Sequence, residues 1–357
     1  MCHADTYVIY PEHSIFMSII IKDLSYIHTD KEVLFSNLNL IINSGEKTAL
    51  TGNNGCGKST LMRILAGEVS PGGGSAYCSG HFFHVPQHFG QYDGRTVAQA
   101  LGIDRKLTAL HAILNGDAEE EHFVRLDDDW NIEERAQATL DAWQLAGISL
   151  LRPLKGLSGG EKTRLFLAGM ELGEPDTILL DEPTNHLDQQ MILWLEKRLI
   201  KSNKAMLMVT HDRYFLDRVT NAILEVESGH VYAYQTNYSG FLQLKAQREE
   251  MARASERKRQ AILRREYQWV MQGPTARGTK SRERLERYEA LKAQSGPAEK
   301  STLELNARAS RLGKKTIECT GVTKGFGGRT VVRDFDCMLL RDDRIGIVGA
   351  NGSGKST

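Results

Sequence analysis

The chain has 357 residues, of which 41% are hydrophobic and 25% charged, a balance typical of globular proteins. No apolar run reaches about 18 residues, so the sequence predicts no membrane-spanning helix, and any transport role would need a separate membrane partner. Five cysteines without a Cys-x-x-Cys pair favour a reducing compartment, so we expect a cytoplasmic protein.

The amino-terminal stretch, MCHADTYVIYPEHSIF, has neither the Lys/Arg start nor the long apolar core of a signal peptide. The regular strand pattern begins at Met17. We therefore expect residues 1–16 to be a disordered extension, or Met17 to be the true start.

A phosphate-binding loop follows the first predicted strands. Residues 47–52, rich in aliphatic side chains, predict a strand, and the helical spacing of residues 59–67 predicts a helix. Between them lies the sequence GxxxxGK[ST], in the strand-to-helix context that a P-loop requires. Backbone N–H groups of such a loop bind phosphate oxygens, Lys58 would reach the β- and γ-phosphates, and Ser59 would bind Mg²⁺. The loop residues are Gly52, Asn53, Asn54, Gly55, Cys56, Gly57, Lys58, Ser59 and Thr60.

Further motifs follow in a fixed order, and each has an ordinary structural explanation when taken alone. A lone Gln or His after a strand is more often structural, adjacent acids at a strand end often form a turn or cap, and Ser-x-x-Glu can be a capping box. In a nucleotide site, a carboxylate at Glu182 could orient and deprotonate an attacking water. The motif residues are Gln87, the group Ser158, Gly159, Gly160 and Glu161, the pair Asp181 and Glu182, and His211.

Taken together, these motifs resemble the ATP-binding cassette family. The order matches its Walker A loop (52–60), Q-loop (Gln87), signature (157–161), Walker B strand (177–182), D-loop (185–188) and switch His211. The resemblance implies an α/β fold of the P-loop NTPase type, with a cassette over residues 17–240 and a helical subdomain over about 95–173.

The resemblance also implies ATP and Mg²⁺ as cofactors. It implies that Ser59, Gln87 and Asp181 organise Mg²⁺. It assigns Glu182 as the general base and His211 as a contact to the γ-phosphate. One position departs from the family pattern, because an aromatic residue usually stacks on adenine and His28 stands there in this chain. An imidazole stacks less strongly than a larger ring, which leaves base selectivity open.

Beyond residue 240 the sequence becomes basic and helical. From Phe241 to Ser295 it carries 14 Lys and Arg against seven Asp and Glu, a net charge of +7. The rest of the chain, its acidic body, therefore carries a net charge of −7. Such a segment indicates an anionic partner, although a solvated charged helix fits the charge alone equally well. Helical runs at about 241–271 and 276–293, separated by the break at 272–275, predict a helical hairpin inside a linker over 241–312.

Residues 237–245 and 266–291 resemble the linker of the ABC-F family, whose members carry two cassettes in one chain and act on the ribosome. The resemblance implies ATP-hydrolysing ribosome binding with linker contacts to tRNA and rRNA, in a translation factor or a ribosome-protection protein that confers antibiotic resistance. An ATPase subunit of a membrane transporter and a DNA-branch-binding ATPase are the alternatives, since charge does not separate RNA from DNA.

Residues 313–357 restart the motif order of the first cassette, an internal repeat with an offset of 297 residues. In the family, the signature of one cassette completes the ATP site of the other, so Ser158 to Glu161 should serve the second P-loop. We therefore expect this chain to be a fragment that binds ATP but hydrolyses it poorly. Ser356 is its expected Mg²⁺ ligand. The second-loop residues are Gly349, Asn351, Gly352, Gly354, Lys355, Ser356 and Thr357.

Overall fold

The computed structural model describes residues 17–28, 33–227, 229–271, 282–293, 315–326, 329–340, 343–349, 354–355 and 357. They fall into two compact units, one within Met1–Tyr238 and Ile347–Thr357 and the other within Ser239–Gly346. The predictions for residues 1–16, the break at 272–275, the end of the linker, and Asn351, Gly352 and Ser356 lie outside the described residues. Within the described ranges, no helix has both the length and the apolar character that crossing a membrane requires.

The first unit begins with a small antiparallel sheet in the order β2-β1-β4. Its strands are β1 (Met17–Ile27), β2 (Val33–Asn43) and β4 (Gly73–Cys78). Ile19, Ile21 and Leu24 of β1 are buried in a core shared with the helix after the P-loop. This sheet therefore packs against the P-loop helix, and Phe35 of β2 belongs to the same core.

A six-stranded sheet in the order β5-β6-β7-β3-β8-β9 forms the centre of the first unit, and only its β8–β9 pair is antiparallel. Every residue of β6 and β7 is buried, so neither strand alternates between buried and exposed positions. The strands are β3 (Lys47–Gly52), β5 (Phe82–Val85), β6 (Thr177–Asp181), β7 (Ala205–Val209), β8 (Ala222–Glu227) and β9 (His230–Tyr234).

Five helices, α2 to α6, lie between β5 and β6 in the chain. Gly169 brings two of them together, because a Cβ there would lie 3.0 Å from Leu101 Cα and 2.8 Å from the Phe83 ring. The helices of the first unit are α1 (Lys58–Leu65), α2 (Val97–Leu101), α3 (Asp104–Leu114), α4 (Glu120–Leu126), α5 (Ile132–Ala142), α6 (Gly159–Leu172), α7 (Gln189–Lys201) and α8 (Arg213–Val219).

Two antiparallel helices, α9 (Tyr238–Met271) and α10 (Arg282–Ala293), run through the basic segment. The Arg284 guanidinium donates to the Glu266 carboxylate at 2.5 and 3.1 Å and lies 4.3 Å from the centre of the Trp269 ring. Nearer the start of α9, Arg259 donates to the Leu291 carbonyl oxygen at 2.8 Å. The sequence separation between contacting residues is larger for Arg259 and Leu291 than for Glu266 and Arg284, as two antiparallel helices require.

An antiparallel pair, β10 (Lys315–Phe326) and β11 (Arg329–Leu340), follows the helices and repeats the pairing of β1 with β2. The predicted fold class, a P-loop α/β cassette followed by a helical hairpin and the start of a second cassette, is confirmed.

Candidate nucleotide site

The P-loop joins β3 to α1 through a backbone that admits no side chain at two positions. At Gly57, which has a φ of +98°, a Cβ would lie 2.7 Å from the Phe35 ring. At Gly52 a Cβ would lie 2.5 Å from the Val226 carbonyl oxygen. Glycine is required at both positions because the loop must turn sharply against a packed core.

Lys58 lies across this loop. Its ammonium group donates to the carbonyl oxygens of Gly52 at 3.0 Å and Asn53 at 2.9 Å. Helix α1 starts directly after Gly57 with no side-chain cap, so the N–H groups of its first turn and the Lys58 ammonium surround one loop. This arrangement suits a phosphate group. In the second loop, Lys355 donates to the Gly349 carbonyl oxygen at 2.6 Å, which repeats the bond from Lys58 to Gly52.

Asp181, which is buried, lies next to the half-buried Ser59 of the P-loop. Asp181 ends strand β6, and burial raises the pKa of its carboxyl group above the ordinary value, whereas a hydrogen bond from Ser59 and the nearby Lys58 charge lower it. Its Oδ1 atom is buried and accepts no hydrogen bond. A hydroxyl beside an unpaired carboxylate oxygen is a donor set that Mg²⁺ prefers, so these residues fit the ion that the cassette family implies.

Glu182 and His211 lie beside this pair, at the ends of neighbouring strands. Asp181 pairs with Val209 across β6 and β7, and both chains leave the sheet at the same edge. The Glu182 side chain is buried, and its Oε1 lies 3.5 Å from Nε2 of His211, which is 73% exposed. The Glu182 backbone has a φ of +52°, a left-handed conformation that costs about 1 kcal/mol for a non-glycine residue. A buried carboxylate and an exposed imidazole thus face the same space above the sheet edge.

Gln87 follows β5, which pairs in parallel with β6 through Val85 and Leu180. The glutamine is exposed and leaves the sheet at the edge where Asp181 and Glu182 lie. The adjacent His88 was not predicted from the sequence, yet its charge lowers the pKa of Asp181. Its position next to Gln87, a predicted site residue, is the sequence signal that could have indicated that His88 lies near the site.

The signature residues form a separate group at the start of α6. The Ser158 hydroxyl and backbone N–H both donate to Glu161 Oε2 at 2.7 Å, and the Glu161 N–H donates back to the hydroxyl at 3.3 Å. These bonds lower the pKa of Glu161. The capping box is therefore present, and a nucleotide role for Ser158, Gly159, Gly160 and Glu161 stays a prediction. His28 follows β1 with an exposed side chain, and its adenine-stacking role also stays a prediction.

Comparison with known proteins places these motifs in a family. Two family models, each described as ABC transporter, match residues 35–185 and 224–305. The energy-dependent translational throttle protein EttA of Mycobacterium tuberculosis (strain ATCC 25618 / H37Rv) is 34% identical over 357 residues, which cover 94% of this chain and 63% of EttA. The ATP-binding protein ChvD of Rhizobium radiobacter is 40% identical over 230 residues, which cover 64% of this chain and 79% of ChvD. This chain belongs to the ABC-F family of ATP-binding cassette proteins.

Another relative of this ABC-F chain is YfmR of Bacillus subtilis (strain 168), an uncharacterized ABC transporter ATP-binding protein. It is 37% identical over 362 residues, which cover 96% of this chain and 57% of YfmR. The chain thus spans 57% of YfmR and 63% of EttA. The second matched model covers all of α9 and all of α10, so the basic hairpin lies inside a region that the models describe.

Proposed function

We propose that the chain binds MgATP at the first P-loop and that the whole protein hydrolyses ATP there. The observation that carries this proposal is the unpaired, buried Asp181 oxygen next to Ser59 and below Lys58. Ser59, Gln87 and Asp181 hold the Mg²⁺ ion, which offsets phosphate charge when bound. Lys58 binds the β- and γ-phosphates.

In this proposal Glu182 is the general base. Its buried carboxylate accepts a proton from the water that attacks the γ-phosphate, and the flanking His211 contacts the γ-phosphate oxygens. The second P-loop, including Gly354, Lys355 and Thr357, binds a second ATP, which the signature from Ser158 to Glu161 completes. A matching signature in the second cassette completes the first site.

Calorimetric titration with ATP in the presence of Mg²⁺ tests the binding step. We expect saturable binding to this chain that Lys58→Ala weakens at least about tenfold, because the substitution removes a charge-assisted hydrogen bond to phosphate. A matched surface variant, Lys201→Ala, should leave the affinity unchanged. Binding that is equally strong in Lys58→Ala would refute the assignment of the first P-loop.

We also propose that the protein acts on the ribosome in the cytoplasm and that the basic hairpin contacts tRNA or rRNA. Three observations support this: membership of the ABC-F family, the relative named a translational throttle, and the net positive charge of α9 and α10. Arginine side chains on an exposed helix pair suit phosphate contacts with folded RNA.

Co-sedimentation separates this proposal from its two rivals. The protein is incubated with ribosomes, with branched DNA, and with lipid vesicles at one ionic strength. We expect it to pellet with ribosomes and to prefer them to both other ligands. Preference for branched DNA would favour the DNA-binding ATPase, and preference for vesicles would favour the transporter subunit that the description of the matched family models also suggests.

A further inference from the structure

Glu68, in the loop directly after α1, is the centre of a polar cluster that none of the nucleotide motifs includes. Its Oε1 accepts a hydrogen bond from the Tyr92 hydroxyl at 2.8 Å and lies 3.6 Å from His84 Nδ1. Gln91 donates to the same oxygen at 3.4 Å, and Arg63 on α1 donates to Oε2 at 3.4 Å. One carboxylate therefore joins the P-loop helix to the segment from residue 84 to residue 92.

That segment contains Gln87. His84 precedes the glutamine near the end of β5, and Tyr92 follows it. Glu68 therefore accepts a hydrogen bond at one end of the loop that carries Gln87 and lies beside His84 at the other end. His84 is 9% exposed and its Nε2 has no hydrogen-bond partner. Burial lowers the pKa of His84, and the Glu68 charge only partly opposes this, so the histidine is a neutral packing partner at neutral pH.

The same segment is attached to the signature helix. The rings of Phe89 and Tyr92 lie 5.1 and 5.2 Å from the ring of Phe166 on α6. Beside them, the Lys162 ammonium group donates to the Asp93 carboxylate at 2.5 Å. Contacts thus run without a break from α1 through Glu68 and Tyr92 to α6, the helix whose first residues are the signature.

We propose that Glu68 is a positioning residue, which fixes the Gln87 loop between the P-loop helix and the signature helix so that Gln87 faces the Asp181 edge. This inference rests on the MgATP site proposed above. Glu68 itself does not touch the nucleotide. It acts through Tyr92, and a displaced Gln87 loop should weaken the contribution of Mg²⁺ to binding while leaving the phosphate contacts of the P-loop intact.

Two conservative variants test the idea in the full chain. Tyr92→Phe removes one hydroxyl and keeps the ring on Phe166, and Glu68→Gln keeps the shape and removes the charge. The gain in ATP affinity on adding Mg²⁺ is measured by titration with and without a chelator. We expect each variant to reduce this gain about fivefold, the scale of one hydrogen bond, without changing the affinity in chelator. Tyr77→Phe, at a half-exposed tyrosine, is the matched control and should behave as the wild type.

A double-mutant cycle with Gln87→Ala distinguishes positioning from a general loss of stability. If Glu68 acts through Gln87, Glu68→Gln should have no further effect in the Gln87→Ala background. Additive effects, or an unchanged Mg²⁺ gain in Glu68→Gln, would overturn the proposal.

Hydrogen exchange without nucleotide gives a second readout that does not depend on the MgATP site. We expect faster exchange of the amides between residues 85 and 91 in both variants, and unchanged exchange would also overturn the proposal. A wild-type chain that fails to bind MgATP would instead refute the proposed function itself, so the two failures are distinguishable.

Discussion

Asp181 is an ionisable side chain placed where water does not reach it. Because burial raises its pKa above the ordinary 3.8, the folded chain keeps the proton to a higher pH than the unfolded chain does. The contribution of this group to stability therefore falls as the pH rises through the range above that value. At neutral pH and without a metal ion, the ionised carboxylate destabilises the fold.

We expect Asp181→Asn to raise the free energy of unfolding of the nucleotide-free chain by about 1 kcal/mol at neutral pH, because a buried charge with one unsatisfied oxygen is removed. The gain should shrink as the pH is lowered towards the ordinary pKa of the carboxyl group. Urea unfolding at several pH values measures it, with Asp128→Asn as an exposed control. The same variant should lose the Mg²⁺ enhancement of ATP binding. A loss of stability in Asp181→Asn would show that the carboxylate stabilises the fold.

At the scale of elements, the close approach of α2 and α6 depends on Gly169. A methyl group there would meet the backbone of Leu101 and the ring of Phe83, neither of which can move freely. Gly169→Ala should therefore destabilise the chain by about 1–3 kcal/mol, despite the higher helix propensity of alanine. Urea unfolding checks this, with Gly94→Ala as the control because a Cβ at Gly94 meets nothing within 4 Å. Equal stability of the two variants would contradict the packing argument.

The hairpin of α9 and α10 depends on a few cross-helix contacts at partly buried positions. Arg284 hydrogen-bonds to Glu266, which lowers the pKa of that carboxyl group, and also stacks on Trp269. Arg284→Ala should therefore increase amide hydrogen exchange across α10. Arg282→Ala should have a smaller effect, because the Arg282 guanidinium pairs with Glu286 on its own helix. Equal exchange in the two variants would contradict a stabilising role for the Arg284 contacts.

How far the sequence predicts these elements depends on the range of the interactions. The P-loop and the strand ending in Asp181 are set by neighbouring residues, so their types and spacing predicted both. The closeness of Gly169 to Leu101 arises from two helices meeting, and no local pattern indicates it. Glu68 is one acid among many in loops, and its partners lie 16 and 24 residues further along the chain. The residues at the sheet edge, where the site lies, were thus predictable from the sequence. The contacts that support the Gln87 loop were not.

At the scale of the whole molecule, charge divides the protein into an acidic body and a basic hairpin. If the hairpin contacts RNA phosphates, affinity for ribosomes should fall steeply with salt. Replacing Arg264, Arg265 and Arg287 by Gln should weaken binding and reduce the salt dependence by about one unit of slope for each phosphate that is no longer bound. Replacing three exposed lysines of the cassette body, Lys155, Lys197 and Lys201, is the charge-matched control. An equal effect of the two triple variants would argue against the hairpin as the RNA-binding surface.

ATP turnover at the Glu182 site should control association of the whole protein with the ribosome. Ribosome co-sedimentation of the whole protein carrying Glu182→Gln, in ATP and in ADP, tests this coupling most directly, with Glu134→Gln on the exposed face of α5 as the control. We predict that Glu182→Gln stays on ribosomes in ATP but not in ADP, because the bound nucleotide is no longer hydrolysed, while the control is released as the wild type is. Release of Glu182→Gln at the wild-type level in ATP would contradict the coupling.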